Sequence, residues 1–127
     1  MQIKLNSVFV DDQEKALRFY TDVLGFVKRH DIPMGAFRWL TVFSPEAPDG
    51  AELLLEPNEN PAAQIYQKAL YEQGIPLTAF ASGDVRAEYG RLKALGVVFR
   101  GEPMQMGTTT AVAFEDGCGN LIQLYEG

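Results

Sequence analysis

Basic residues are in the minority in this chain, 11 Lys and Arg against 17 Asp and Glu, for a net charge of −6. Nucleic-acid binding draws on clustered Lys and Arg, so that class of partner is excluded. Cysteine occurs once, as Cys118, which leaves no internal disulfide and fits a reducing, cytoplasmic setting. Between two glycines, Cys118 reads as an exposed turn residue, and acidic Glu115 and Asp116 nearby disfavour a reactive thiolate. Apolar runs are short. None approaches the ~20 residues of a membrane-spanning helix, and the first residues lack the basic-then-apolar order of a secretion signal, so no membrane association is expected. The single histidine, His30, lies in the polar stretch Lys28-Arg-His-Asp31 and reads as a solvated side chain. What is present is globular: 46% hydrophobic and 22% charged residues over a 127-residue chain suit one domain with a real core.

The stretch Asp11–Phe26 organises the rest. Asp11 stands where an N-cap acceptor belongs, with Glu14 three residues on to complete an acidic capping box. Ala16, Leu17, Tyr20, Val23 and Leu24 recur at three- and four-residue spacing as one apolar stripe, and Gly25 supplies the left-handed stop. A strand from Ile3 to Val10 precedes this helix, and Phe26-Val27 follows it. The pattern then repeats. Pro76–Ala81 is the strand, Gly83-Asp84 the turn and cap, and Val85, Tyr89, Leu92 and Leu95 the stripe. Gly96 is the stop, and Val97–Phe99 the return strand. An offset of 71 to 72 residues separates the copies, which means two similar modules and not a solenoid.

Between these landmarks the spacing predicts a turn or flap at Ile32–Gly35 and a strand from Ala36 to Ser44. The loop Pro45–Gly50 has an Asp-Gly pair suited to a hairpin, and Ala51–Glu56 reads as the fourth strand. Residues 58–75 read as a helical connector started by Asn60-Pro61 and ended by Gly74. Arg100–Gly107 reads as a methionine-rich loop, Thr108–Phe114 and Asn120–Glu126 as strands. The predicted class is α+β: two βαβββ modules, about 1–57 and 76–127, with connector 58–75, forming a single domain whose curled mixed sheets enclose a cleft.

Three stretches carry a resemblance: Val10–Phe26, Ala94-Leu-Gly96, and Phe114-Glu-Asp-Gly-Cys-Gly-Asn-Leu-Ile-Gln-Leu-Tyr125. Together they resemble the vicinal oxygen chelate superfamily, which includes glyoxalase I, extradiol dioxygenases, methylmalonyl-CoA epimerase, fosfomycin-resistance enzymes and bleomycin-binding proteins. The resemblance implies four inward positions that hold a divalent metal in many members. Carried over residue by residue, they fall on Leu5, Leu54, Leu77 and Gln123. Three of these have no donor atom, so no metal cofactor is expected, unless a shift of register brings in Glu52 or Glu56. The resemblance further implies a homodimer, with clefts built within one chain or across two.

Strand alternation puts Trp39 and Thr41 on one face, with Thr109, Ala111 and Ala113 at matching places in the second module. With Leu5, Leu54, Leu77 and Gln123, and with Met34, Met104 and Met106 in adjoining loops, they form the expected ligand-binding set. The reading is a metal-free small-molecule-binding protein that sequesters a hydrophobic or aromatic compound in an apolar cleft. One alternative is a metal-dependent lyase, isomerase or dioxygenase of the glyoxalase type. Another is a non-catalytic dimeric interaction protein with a filled cleft.

Overall fold

The computed structural model describes all residues, 1–127. It divides into two compact units, Met1–Ile65 and Tyr66–Gly127. In the first, β1 (Leu5–Val10) leads into α1 (Gln13–Arg18), which a π-helical turn (Phe19–Val23) extends. β2 (Val27–Met34), β3 (Phe37–Phe43) and β4 (Glu52–Pro57) follow. The sheet order is β1-β4-β3-β2, with β1 parallel to β4 and the other pairs antiparallel. Helix α2 (Pro61–Gln73) leads to β5 (Thr78–Ser82), α3 (Val85–Ala94), β6 (Met104–Met106), β7 (Thr109–Glu115) and β8 (Leu121–Glu126). The second sheet, β5-β8-β7-β6, repeats the pattern of the first. The class is α+β with two βαβββ modules in tandem.

Each sheet buries one face under a helix. α1 lies against β3 and β4, and Val8, Val10, Leu40, Val42 and Leu55 beneath it are fully buried with Ala16 and Tyr20. α3 lies against β7 and β8, and Leu92 and Val85 are buried with Phe114, Ile122 and Leu124. Burial of each large apolar side chain in these layers contributes about 1.5–3 kcal/mol. Both helices stop at a glycine in the left-handed region, Gly25 and Gly96, each at φ +90°. Asp84 caps α3 by accepting from the Ala87 amide, as its place in the sequence suggests.

Several local expectations are corrected. The cap of α1 is Asp12, which accepts from the Lys15 amide at 3.0 Å, and Asp11 pairs with the Lys15 ammonium instead. Ile32–Met34 is the end of an eight-residue strand, not a flap. Pairing with β3 overrides the weak intrinsic signal of a polar run. In the second module the first strand after the helix is Met104–Met106, within the stretch read as a loop. Val97–Phe99 retains only an isolated bridge from Phe99 to Phe114, where Phe99 packs between Tyr89 and Phe114.

Arg38 clamps the β2–β3 hairpin on the helix side. It donates to both carboxylate oxygens of Asp31, at 2.9 and 2.8 Å. The guanidinium is the main reason that the Asp31 carboxyl is lowered to about 2. A lowered carboxyl stabilises the fold above its ordinary pKa and loses that stabilisation as pH falls towards the folded-state value. An advantage over Asp31→Asn of about 1 kcal/mol, discounted for partial exposure, is therefore expected near pH 5 and gone near pH 2. Urea denaturation of both proteins across that range measures it.

Candidate functional site

The cross-strand register decides which side chains share the face away from each helix. In the first module, Leu5 pairs with Glu52, Ser7 with Leu54, and Phe9 with Glu56. On β3, Thr41 pairs with Leu54 and Phe43 with Glu52. On β2, Ile32 pairs with Trp39 and Met34 with Phe37. Alternation carries Trp39 and Phe37 onto the same face as Thr41. Of the expected set, Leu5, Trp39, Thr41, Leu54 and Met34 therefore share one helix-free face. Thr41 and Leu54 are buried at its centre, Trp39 is half-buried, and Met34 is exposed at the hairpin tip.

In the second module Ala79 pairs with Gln123, Ala113 with Gln123, and Ala111 with Tyr125. Met104 pairs with Ala111 and Met106 with Thr109. Leu77 donates its amide to the Leu121 carbonyl at 2.8 Å, one step before this ladder. Leu77, Thr109, Ala111, Gln123, Met104 and Met106 thus share the helix-free face of their own sheet. Four alanines, Ala79, Ala81, Ala111 and Ala113, floor it.

Glu52, named above as a register alternative, joins a polar group on the first face with Thr41 and His30. Glu52 Oε1 accepts the Thr41 hydroxyl at 2.8 Å and lies 3.6 Å from His30 Nε2. Thr41 Oγ1 also accepts from the His30 amide at 3.2 Å. His30 reaches this face through a β-bulge: the register shifts between Lys28 and His30, so His30 faces Thr41. Without that shift, alternation would turn its ring to the helix side. The imidazole is 47% exposed and the Glu52 side chain 22%, so the expectation of a solvated histidine is right in exposure but misses its neighbour. Glu52 was legible from its alternation with Leu54; the bulge left no signal in the residue types. The bulged residue, Arg29, donates to the Pro48 carbonyl at 2.7 Å and seats its guanidinium 3.9 Å from the centre of the Phe43 ring.

The positions to which the resemblance carries metal ligands, Leu5, Leu54, Leu77 and Gln123, hold three hydrocarbon side chains and one amide. Glu52 and His30 add a carboxylate and an imidazole, and no group of three or more His, Cys, Asp or Glu is placed to share a metal ion. Cys118, read as exposed, is fully buried, and its amide donates to Asp116 Oδ1 at 2.8 Å. It is expected to resist a disulfide-exchange reagent in the folded protein and to react at once in denaturant, which a thiol titration checks. Elsewhere, Tyr89, Lys93, Val97, Phe99, Gly101 and Glu102 line a surface cavity of about 260 Å³ beside α3. It draws on the helix side and not on the sheet faces above.

Residues 2–124 match the family model described as "Glyoxalase/Bleomycin resistance protein/Dioxygenase superfamily". The uncharacterized protein YurT of Bacillus subtilis (strain 168) is 54% identical over 126 residues, 99% of each chain. Among solved structures, UcmS2 is 30% identical with a TM-score of 0.84, covering 98% of this chain and 97% of its own. TnmS3, an antibiotic binding protein from Streptomyces sp. CB03234, is 29% identical with a TM-score of 0.75, covering 99% and 95%.

Proposed function

From the premise that this chain belongs to the Glyoxalase/Bleomycin resistance protein/Dioxygenase superfamily, we propose that it binds a small, flat, largely apolar molecule without a metal ion. The observation that carries this reading is the make-up of the helix-free faces, which hold Trp39, Phe43 and a floor of alanines beside Leu5, Leu54 and Leu77, the residues to which the resemblance carries metal ligands. A divalent cation takes roughly four to six donors, and on the first face Glu52 and His30 supply two. Aromatic and aliphatic lining with a few polar groups is the usual make-up of a small-molecule site. The antibiotic-binding relative TnmS3 supports the same class of activity. We further place the protein in the cytoplasm as a homodimer. A single buried cysteine supports the first, and exposed Ile3, Ile65, Leu95 and Val98 support the second.

Trp39 is the only tryptophan, so its emission reports on the face where it stands. Quinoline, a flat heteroaromatic that is uncharged at neutral pH, is expected to quench it saturably in the wild type. Leu54→Asp, which puts a charge at the centre of the face, is expected to weaken that binding about tenfold or more. Elemental analysis of protein purified without chelator is expected to find no stoichiometric metal. Added Ni²⁺, Zn²⁺, Mn²⁺ or Fe²⁺ is expected to leave the melting temperature unmoved, whereas a ligand at about 100 times its Kd would add ~2.7 kcal/mol. Stoichiometric metal would overturn the reading in favour of a metal-dependent lyase, isomerase or dioxygenase.

A further inference from the structure

We propose that the helix-free face of the first module selects a planar organic cation, with the Glu52 carboxylate as the group that recognises its charge. The inference rests on the small-molecule-binding reading above and adds the chemical class of the ligand.

Ring faces are the first part of the argument. Phe37, Trp39 and Phe43 alternate along β3 on this face, and Phe9 stands on it from β1. An aromatic face carries negative quadrupolar charge and attracts cations within about 6 Å of its centre. The face already shows that preference within the chain. Arg29 leaves the ladder at the bulge, and its guanidinium settles over Phe43, anchored by the Pro48 carbonyl. Phe43 is thereby covered, while Trp39 is the half-buried ring next to Thr41.

Carboxylates are the second part. Glu52 is held in place through Oε1 by the Thr41 hydroxyl, and Oε2 has no partner within the chain. The ring nitrogen beside it, His30 Nε2, lies at 3.6 Å and beyond hydrogen-bonding distance. Glu56, four residues along the strand and on the same face, has neither a hydrogen bond nor an ion pair from its side chain. Contrast the helix side of the same sheet, where Asp31 and Glu14 both meet Arg38. The guanidinium set against the helix-free face, Arg29, is already engaged on Phe43. A half-buried carboxylate with one oxygen unsatisfied favours a ligand that brings a positive charge to it. The chain's net charge of −6 favours the encounter in the same sense.

The test compares two probes of nearly the same shape, quinoline and N-methylquinolinium, by quenching of Trp39 at neutral pH and low salt. The expected result is a preference for the cation of about tenfold in the wild type, collapsing towards parity in Glu52→Gln. Glutamine keeps an acceptor for Thr41, and circular dichroism confirms that the variant is folded. The wild type supplies an independent measure, since the preference should shrink as NaCl rises to ~1 M, where charges are screened within about 3 Å. Equal affinity for the two probes in the wild type would overturn the inference and leave the binding reading standing. So would a preference that survives Glu52→Gln or high salt. Failure of both probes to quench, as when a second copy of the chain covers the face, would overturn both.

Discussion

Asp116→Ala is expected to destabilise the protein by about 4 kcal/mol, the sum of three orphaned donors in a buried turn. Asp116 is 1% exposed. Its Oδ1 accepts from the amides of Cys118 and Asn120 at 2.8 and 3.1 Å, and its Oδ2 accepts from Asn120 Nδ2 at 2.8 Å. The turn is then tied to α2, because Gln67 Nε2 donates to the Cys118 carbonyl and to Asn120 Oδ1 at 3.1 and 3.0 Å. Removing the carboxylate leaves N–H groups where water does not reach, and a buried donor without a partner costs about 1–3 kcal/mol. Urea unfolding followed by circular dichroism measures the loss. Asp116→Asn keeps one oxygen for the two amides but turns a donor towards Asn120, so about half the effect is expected. Gly119 belongs to the same network. It sits at φ +100°, and a methyl there would come within 2.8 Å of the Gln67 amide nitrogen, so Gly119→Ala should perturb the same unit. A second readout separates this from general destabilisation. Cys118 lies inside the turn, and its reaction with a thiol reagent should accelerate in Asp116→Ala under conditions where the rest of the fold persists.

Gln13→Ala is the other large effect expected, about 3 kcal/mol, and it acts on the first module. β3 and β4 pair only from Thr41 to Phe43, and beyond that point the strands part. Gln13 fills the opening from α1. Its Nε2 donates to the Arg38 and Leu55 carbonyls at 2.7 and 2.9 Å, and its Oε1 accepts the Arg38 amide at 3.1 Å. One side-chain amide thus stands in for a missing strand residue, and it does so in a buried position. Alanine leaves two carbonyls and an amide without partners. Gln13→Glu is expected to lose at least as much at neutral pH, because a carboxylate has no hydrogen to offer the two carbonyls and repels them. A loss in Gln13→Ala below about 1 kcal/mol would mean that water replaces the amide without cost.

These two residues mark the boundary of what residue order reveals. Gln13 looks like a polar residue in the first turn of a helix, and nothing in its neighbours announces partners 25 and 42 positions away. Asp116 stands out as a turn residue and Asn120 reads as the start of a strand, yet their burial depends on α2 arriving from fifty residues earlier. The choice of Asp12 over Asp11 as cap turned on which carboxylate lies within reach of the Lys15 amide. Neighbouring aspartates cannot be told apart by type alone.

What residue order determined by itself was the set of local and periodic features. Apolar stripes at helical spacing specified the buried faces around Ala16, Tyr20 and Leu92. Glycines placed both helix stops, and strand alternation put Trp39 and Thr41 on one face with Thr109, Ala111 and Ala113 at matching places in the second module. Such features follow from the 3.6- and 2-residue periods and from backbone sterics, which act within a few positions. Only the tertiary structure decided that β2 runs to Met34, that Met104–Met106 is a strand, that a bulge carries His30 beside Glu52, and that Cys118 is buried. Each of those outcomes depends on a partner distant in the chain, because a strand is completed by the hydrogen bonds of its neighbour and a buried group by what covers it.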